Sequence, residues 1–150
     1  MWTVELLQDF KTLGGFPLYC ALILASFILG EFGLSAQLFI GLILAFGLTA
    51  LIRIFYFKQR PVRQSFKTWQ QKIDASSFPS LHSMRAAVLA TVFTAFFDNL
   101  VLAVLFFALA IFVASARVLQ KRHHMNDVVA GLVLGILVGF ASIWLARFIS

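Results

Sequence analysis

Five apolar segments, separated by short polar breaks, restrict what this chain can fold into. They cover approximately residues 16–30, 34–57, 81–97, 100–116 and 128–149. A transmembrane helix needs about 20 mostly apolar residues to cross a hydrocarbon layer about 30 Å thick. All five segments come close to that length, and the first is the shortest. The sequence therefore predicts an all-α, integral membrane helical bundle of about five transmembrane helices.

The composition agrees with a membrane protein of one domain. Of 150 residues, 61% are hydrophobic and 12% are charged, and the mean hydropathy is +0.95. These values lie far outside the range of soluble domains. Because the spans leave little chain over, we predict a single membrane-embedded domain over residues 1–150. With Cys20 as its only cysteine, the chain cannot form an internal disulfide.

The N-terminal residues have an amphipathic pattern. If they are helical, one face is apolar and carries Trp2, Leu6, Phe10 and Leu13. Such a pattern is typical of a short helix that lies on the bilayer surface. We therefore expect an N-terminal amphipathic helix in addition to the spans.

Polar residues between the segments are expected to meet on one side of the membrane. The short Phe97-Asp98-Asn99 connection predicts a tight turn and an antiparallel hairpin of the third and fourth segments. If the second segment ends on one face, the third starts there, the fourth returns to it and the fifth leaves from it again. The polar clusters next to these segment ends then converge.

The one sizeable loop, residues 58–80, joins the second and third segments. Pro61 and Pro79 lie near its ends, where proline ends one helix and allows another to begin. Ser77 or Ser80 could cap the helix that follows.

Ser80 and His82 would lie at the start of the third span. Free backbone N–H groups and the helix dipole favour an anion such as phosphate at a helix N-terminus. A plain capping turn is the better explanation of this stretch taken alone, and the phosphate site is the alternative.

Two arginines flank the end of the second span. Arg53 and Arg60 are seven residues apart, so on a helix they would lie nearly in line and form a cationic ladder. Either could be a basic side chain that extends to the membrane surface. Arg53, however, lies inside an apolar run, where a charge needs a partner or a wet cavity.

The third polar cluster precedes the last span. His123 and Asp127 are four residues apart, so on a helix the carboxylate could hold one ring nitrogen and leave the other as a nucleophile. A structural hydrogen bond between them is the alternative. Lys121, Arg122 and His124 are expected to face lipid headgroups.

These residue types together favour phosphoryl transfer without a metal. Arginine binds phosphate oxygens through two parallel hydrogen bonds, one histidine can attack phosphorus, and a second can protonate the leaving oxygen. A metal site is less suitable, since carboxylates are few and the arginines would repel a cation. We predict no metal and no cofactor.

Three motifs resemble those of the type-2 phosphatidic acid phosphatase superfamily, whose fold is that of the vanadium haloperoxidase-like acid phosphatases. The family pattern is KxxxxxxRP, then PSGH, then SRxxxxxHxxxD. The corresponding stretches here are RIFYFKQRP at 53–61, PSLH at 79–82 and ARVLQKRHHMND at 116–127. Order and internal spacing match, and DVVAG after the third motif extends the resemblance to residues 53–131.

The resemblance implies a role for each matching residue. His123 is implied as the nucleophile that forms a phosphohistidine, Asp127 as the residue that orients it, and His82 as the acid for the leaving group. The implied phosphate-binding set comprises Arg53, Arg60, Ser80, Arg117 and the backbone of Leu81.

Three positions depart from the family pattern. Arg53 replaces a lysine and keeps the charge, but changes a point charge into a planar fork. Leu81 replaces a glycine, which a helical backbone would tolerate. Ala116 replaces a serine, and its neighbour Ser115 is poorly placed to restore the lost hydroxyl. Reduced turnover or a different substrate is therefore expected.

The resemblance also implies a membrane lipid substrate reached from the bilayer, and no nucleic acid. Polyprenyl diphosphate, phosphatidic acid and phosphatidylglycerol phosphate belong to the family's repertoire, and we favour polyprenyl diphosphate. Two alternatives are a lipid phosphotransferase that uses the same histidine, and a phospholipid-binding membrane protein of weak activity.

The basic residues bear on the orientation in the cell membrane. All Lys and Arg residues except Arg147 fall on the face with the polar clusters. The positive-inside rule places that face in the cytoplasm. Many bacterial relatives are thought to act on the outer face, so the two indications conflict, and we favour the cytoplasmic side.

Overall fold

Six α-helices form the computed structural model over the residues that it describes, 15–62 and 65–149. They are α1 (Phe16–Ile28), α2 (Phe32–Phe55), α3 (Trp69–Ala75), α4 (Leu81–Phe97), α5 (Leu100–Leu119) and α6 (Met125–Ala146). Within these residues there is no strand, which confirms the predicted all-α class. The expected N-terminal amphipathic helix lies outside the described residues.

Three helices are long and apolar enough to cross a membrane, namely α2, α5 and α6. Helix α4 has 17 residues and α1 has 13, which correspond to lengths of about 25 Å and 20 Å. Both are apolar but shorter than a typical span. The chain is a helical membrane protein, and the number of five spans stays a prediction.

The turn between α4 and α5 confirms the predicted hairpin. Asp98 ends α4 in the left-handed conformation with φ of 45°. Asn99 then caps α5, because its side-chain oxygen accepts hydrogen bonds from the N–H groups of Val101 and Leu102. Two residues thus reverse the chain, and the two helices pack side by side.

Helix α4 lies at the centre of the bundle and packs against α2, α5 and α6. Helix α6 approaches it closely because its contact face carries Gly131, Gly135 and Gly139. A Cβ atom added at Gly131 would lie 2.6 Å from the carbonyl oxygen of Ser80, and one at Gly135 would overlap the carbonyl of Met84. The absence of side chains at these glycines therefore allows α4 and α6 to lie in close contact.

Polar and apolar side chains are distributed as in a membrane bundle. Large hydrophobic side chains are exposed around the helices, among them Phe39, Phe112, Val133 and Trp144. Many of the buried polar side chains instead gather at the end where α4 and α6 begin, and include Ser76, Ser77, Ser80, Ser83 and Asp127. Burying so many polar groups requires that they bond to one another. This end holds the candidate site.

Candidate active site

A cavity of about 310 Å³ opens between the start of α4, the end of α5 and the loop before α6. Its lining consists of Arg60, His82, Arg117, Arg122 and His123. Two histidines and three arginines thus face one space, as the predicted convergence of the polar clusters requires. Arg122, which the sequence assigned to lipid headgroups, lies in the cavity lining instead.

The loop between α5 and α6 positions His123. Lys121 adopts a left-handed conformation with φ of 53°, which ends α5. The N–H groups of Arg122 and His123 then both donate to the carbonyl of Arg117, at 3.1 and 3.3 Å. His123 is therefore attached to the last turn of the helix that also carries Arg117.

The ring of His123 is fixed by a backbone carbonyl. Its Nδ1 lies 2.7 Å from the carbonyl oxygen of Ser77. Because a carbonyl oxygen only accepts hydrogen bonds, Nδ1 carries the proton, and in the neutral ring Nε2 keeps the lone pair. This tautomer is the one a nucleophilic histidine needs.

The surroundings of His123 favour that neutral form. The pKa of His123 is lowered to about 4, chiefly by burial and to a smaller extent by the nearby cations Arg60 and Arg53. The Ser77 carbonyl and the Asp127 carboxylate act in the opposite direction and raise the pKa. Burial dominates, so the lone pair on Nε2 is available at neutral pH.

Asp127 does not hold His123 directly, contrary to the expectation from their spacing. His123 precedes α6, whereas Asp127 lies in its first turn, so one helix does not carry both residues. The carboxylate turns back to accept a hydrogen bond from the N–H of His124 at 2.9 Å, as helix-capping acids do. Among the described residues, its other partners are Lys58 and Ser77.

Ser77 links Asp127 to His123. Its hydroxyl donates to Oδ2 of Asp127, its carbonyl accepts from His123, and its N–H donates to the carbonyl of Lys58 at 2.7 Å. Lys58 in turn forms an ion pair with Asp127. From the sequence, Ser77 is predicted only as a possible helix cap, and no role is predicted for Lys58. A fully buried serine directly before Phe78 and Pro79 leaves no signal in spacing alone.

The predicted ladder of Arg53 and Arg60 is not formed, because α2 ends at Phe55 and Arg60 lies in the loop beyond it. Arg53 is buried and donates to the carbonyl oxygens of Pro79 at 3.0 Å and Ile73 at 3.4 Å. Arg53 therefore stabilises the loop before α4 through these two hydrogen bonds and does not line the cavity. Arg60 lines the cavity and also donates to the carbonyl of Asp74.

The start of α4 presents free backbone donors beside His82. Ser80 is the N-cap, and its hydroxyl accepts hydrogen bonds from the N–H and the hydroxyl of Ser83. Its own N–H donates to the carbonyl of Asp127 at 3.0 Å. Within the described residues, the N–H groups of Leu81 and His82 donate to no protein acceptor. They can therefore bind an anion at this helix end.

The remaining departures from the family pattern have simple structural consequences. Leu81 is the first residue of α4, so its backbone is helical and needs no glycine. Ala116 is buried, whereas the neighbouring Ser115 is exposed and donates to the carbonyl of Ile111. The hydroxyl that Ala116 lacks is thus not restored by Ser115.

Arg117 lines the cavity and donates to the side chain of Gln120.

The donor set at this end does not resemble a metal site. No three His, Cys, Asp or Glu side chains come together in residues 15–62 and 65–149. The oxygens of Asp127 are engaged by the ammonium of Lys58 and the hydroxyl of Ser77. That catalysis needs no metal stays a prediction.

Comparison with known proteins agrees with the motifs. The profile of the PAP2 superfamily matches residues 34–149. The fold is similar to that of Aquifex aeolicus LpxE, with a TM-score of 0.77 and 23% identity over 93% of this chain and 84% of that chain. The fold is also similar to that of a PAP2-type phosphatidylglycerolphosphate phosphatase from Bacillus subtilis, with a TM-score of 0.67 and 22% identity over 99% of this chain and 79% of that chain. Among curated proteins, none matches significantly.

The profile match covers the arginine, PSLH and His–Asp stretches together with the helices that bring them to one end of the bundle. The chain therefore belongs to the PAP2 superfamily.

Proposed function

We propose that this protein is a membrane lipid phosphatase that works through a phosphohistidine on His123. The observation that carries the proposal is the cavity in which His123, His82 and three arginines meet. The hydrogen bond from Nδ1 of His123 to the Ser77 carbonyl supports it, because it leaves Nε2 as the nucleophile.

The first step forms the phosphoenzyme. Nε2 of His123 attacks the phosphorus atom, and the bond between phosphorus and the lipid oxygen breaks. The leaving oxygen takes a proton from His82, which we propose as the general acid. Arg60, Arg117 and Arg122 offset the charge on the phosphate oxygens, and the N–H groups of Leu81 and His82 are further donors.

The second step restores the enzyme. Water attacks the same phosphorus atom, the bond to Nε2 breaks, and inorganic phosphate leaves. His82 takes back a proton from that water, so the cycle ends with both histidines in their starting states. Arg53 and Asp127 act in both steps as positioning residues, because neither lines the cavity.

An apolar groove offers a place for the hydrocarbon chain of the lipid. It has a volume of about 390 Å³ and is lined from α1, α4 and α5. On α4 it continues the helix face of His82 through Ala86, Phe93 and Phe97, and on α5 it continues the face of Arg117 through Val113 and Ala110. The phosphate cavity and the groove thus share two helix faces.

The substrate is proposed as a lipid phosphate or diphosphate. A phosphatidylglycerolphosphate phosphatase with a similar fold supports a lipid phosphate in general. We favour a polyprenyl diphosphate, since the groove is apolar along α4 from Ala86 to Phe97. The distribution of basic residues supports a cytoplasmic position of the active site.

The test uses purified protein in detergent with EDTA present. It measures the inorganic phosphate that the protein releases from a set of lipid phosphates and diphosphates. We expect release by the wild type and none by His123→Ala. Arg147→Ala, which changes an exposed arginine beyond the end of α6, serves as the control and should behave as the wild type. Release by His123→Ala contradicts the mechanism. If an added lipid alcohol becomes phosphorylated and no inorganic phosphate is released, the protein is a phosphotransferase.

A further inference from the structure

Lys58 has no role in the proposed reaction, yet it contacts the site from two directions. It lies in the loop after α2 and does not line the cavity. Its Nζ forms an ion pair with Oδ1 of Asp127 at 2.5 Å, and its carbonyl accepts a hydrogen bond from the N–H of Ser77 at 2.7 Å. The side chain of Lys58 is 26% exposed, whereas that of Asp127 is fully buried. Lys58 therefore supplies the positive charge that this buried carboxylate needs.

Lys58, Ser77 and Asp127 form a closed ring of contacts. The N–H of Ser77 donates to the carbonyl of Lys58, the hydroxyl of Ser77 donates to Oδ2 of Asp127, and Oδ1 of Asp127 pairs with the ammonium of Lys58. The three residues come from separate parts of the chain, namely the loop after α2, the loop before α4 and the first turn of α6. In such a network each bond restricts the next, so the loss of one member loosens the others. The ammonium of Lys58 closes the ring.

The ring of contacts reaches the proposed nucleophile through Ser77. The carbonyl oxygen of Ser77 lies 2.7 Å from Nδ1 of His123. This bond keeps the proton on Nδ1 and leaves the lone pair on Nε2. The N–H of His123, which donates to the carbonyl of Arg117, fixes only the backbone. A displaced Ser77 carbonyl would therefore allow the imidazole to turn or to change its tautomer.

We infer that Lys58 is a positioning residue whose ammonium holds the Asp127 carboxylate and, through Ser77, keeps the proton of His123 on Nδ1. Its effect on turnover rests on the proposed function, whereas its effect on the imidazole needs no turnover. The family pattern leaves position 58 unspecified, so the motifs give no signal for this residue. The backbone bonds of Lys58 to Ser76 and Ser77 do not depend on its side chain. A substitution at position 58 therefore tests the ammonium alone.

The direct test is the protonation of the His123 imidazole in protein labelled with ¹⁵N at histidine. The chain has three histidines, and the spectrum of His123→Ala identifies the signals of His123. In the wild type we expect a protonated Nδ1 and an unprotonated Nε2 at neutral pH. Lys58→Met should shift both signals toward a mixture of tautomers. Lys67→Met, at an exposed lysine of the same loop, is the control and should leave them unchanged. Unchanged His123 signals in Lys58→Met overturn the inference.

Turnover provides the second test. We expect Lys58→Met to lower kcat by about 10-fold and to change KM by less than about 3-fold, because Lys58 does not line the cavity. Lys58→Arg keeps the charge and should stay within about 3-fold of the wild-type kcat. In Asp127→Asn the ion pair is already lost, so adding Lys58→Met should change kcat by less than about 2-fold.

Two kinetic results would overturn the inference. A rise in KM alone makes Lys58 a substrate contact. Independent, multiplicative effects of Lys58→Met and Asp127→Asn on kcat show that Lys58 does not act through Asp127.

The two tests also separate the role of Lys58 from the proposed function. If the wild type releases no phosphate, the proposed function fails, while the ¹⁵N signals still decide the role of Lys58. Lys58→Met leaves Asp127 buried without a counter-charge and could fail to fold. In that case Asp127→Asn is compared with the double variant, in which both charges are absent. Their His123 signals should agree, and a further change of tautomer on adding Lys58→Met contradicts the inference.

Discussion

Helix α4 has two contact faces of opposite character. The face toward α6 is closed, because three glycines of α6 lie against the backbone and small side chains of α4. The face toward α5 is apolar and leaves a groove of about 390 Å³. At the start of the helix both faces meet the polar cavity of about 310 Å³.

This difference separates two tasks that a lipid phosphatase must combine. The close contact with α6 fixes the ends of two helices, and with them the hydrogen-bonded group of Ser77, Ser80 and Asp127. Preorganised donors are what stabilise a phosphoryl transition state. The looser contact with α5 provides the space for an apolar chain. In the proposed mechanism, one helix thus carries a rigid frame for the chemistry on one face and the surface for the hydrocarbon chain on the other.

Forcing α4 and α6 apart should have the largest effect. In Gly135→Ala the added Cβ overlaps the carbonyl of Met84, so α4 and α6 must move apart. We expect kcat/KM to fall by about 100-fold, because displacements near 1 Å at a site have effects of that size. The thermal transition in detergent should also fall. Gly47→Ala is the control, since nothing lies within 4 Å of its Cβ. Equal behaviour of the two variants refutes the role of the contact.

Removing the charge of Asp127 should have the second largest effect. Asp127→Asn breaks the ion pair with Lys58 and weakens the bond to Ser77, whose carbonyl orients His123. We expect kcat to fall by about 10-fold or more with little change in KM, since Asp127 does not line the cavity. Asp98→Asn in the exposed turn is the matched control. A rise in KM alone would indicate direct substrate contact instead.

Filling the open face of α4 should affect long substrates selectively. Ala110 lines the groove, and Ala110→Phe places a ring in it. We expect KM for a long-chain lipid phosphate to rise by about 5- to 10-fold, while a short-chain analogue is unaffected. Ala108→Phe changes the exposed face of the same helix and serves as the control. Loss of activity on both chain lengths would contradict the assignment of the groove to the chain.

The pH profile should show the smallest change over the ordinary working range. The lowered pKa of His123, about 4, keeps the nucleophile neutral above that pH and protonates it below. The acid limb of kcat/KM that belongs to His123 should therefore lie near pH 4, and not near the usual histidine pKa of about 6.5. Steady-state rates from pH 3.5 to 7 measure this. A limb near 6.5 means that His123 is more exposed to solvent than described.

Much of the fold could be predicted from the sequence, because apolar length and turn residues are local signals. The hairpin at Asp98 and Asn99 and the all-α class follow from short patterns, and Ser80 is one of the two predicted caps of α4. The convergence of the polar clusters follows from counting spans. The ends of the helices are predicted less accurately. The second apolar segment was expected to reach residue 57, but α2 ends at Phe55.

The parts of the site that were not predicted depend on tertiary contacts. Spacing placed His123 and Asp127 on one helix, but the left-handed Lys121 and the capping bond of Asp127 to His124 separate them. Ser77 became the link only because its loop lies against the start of α6. Arg53 was assigned to phosphate by its motif, yet it braces that same loop through backbone carbonyls. Motif spacing identifies the residues and cannot show which of them contact one another.

The most direct test of the account is to trap the phosphoenzyme. Wild type is mixed with a lipid diphosphate labelled in its outer phosphate, quenched in alkali and digested, and the labelled peptide is identified by mass spectrometry. We predict an alkali-stable, acid-labile phosphohistidine on His123 that is absent from His123→Ala. A label on any other residue, or rapid phosphate release with no labelled protein at any quench time, would contradict the central claim that His123 is the nucleophile.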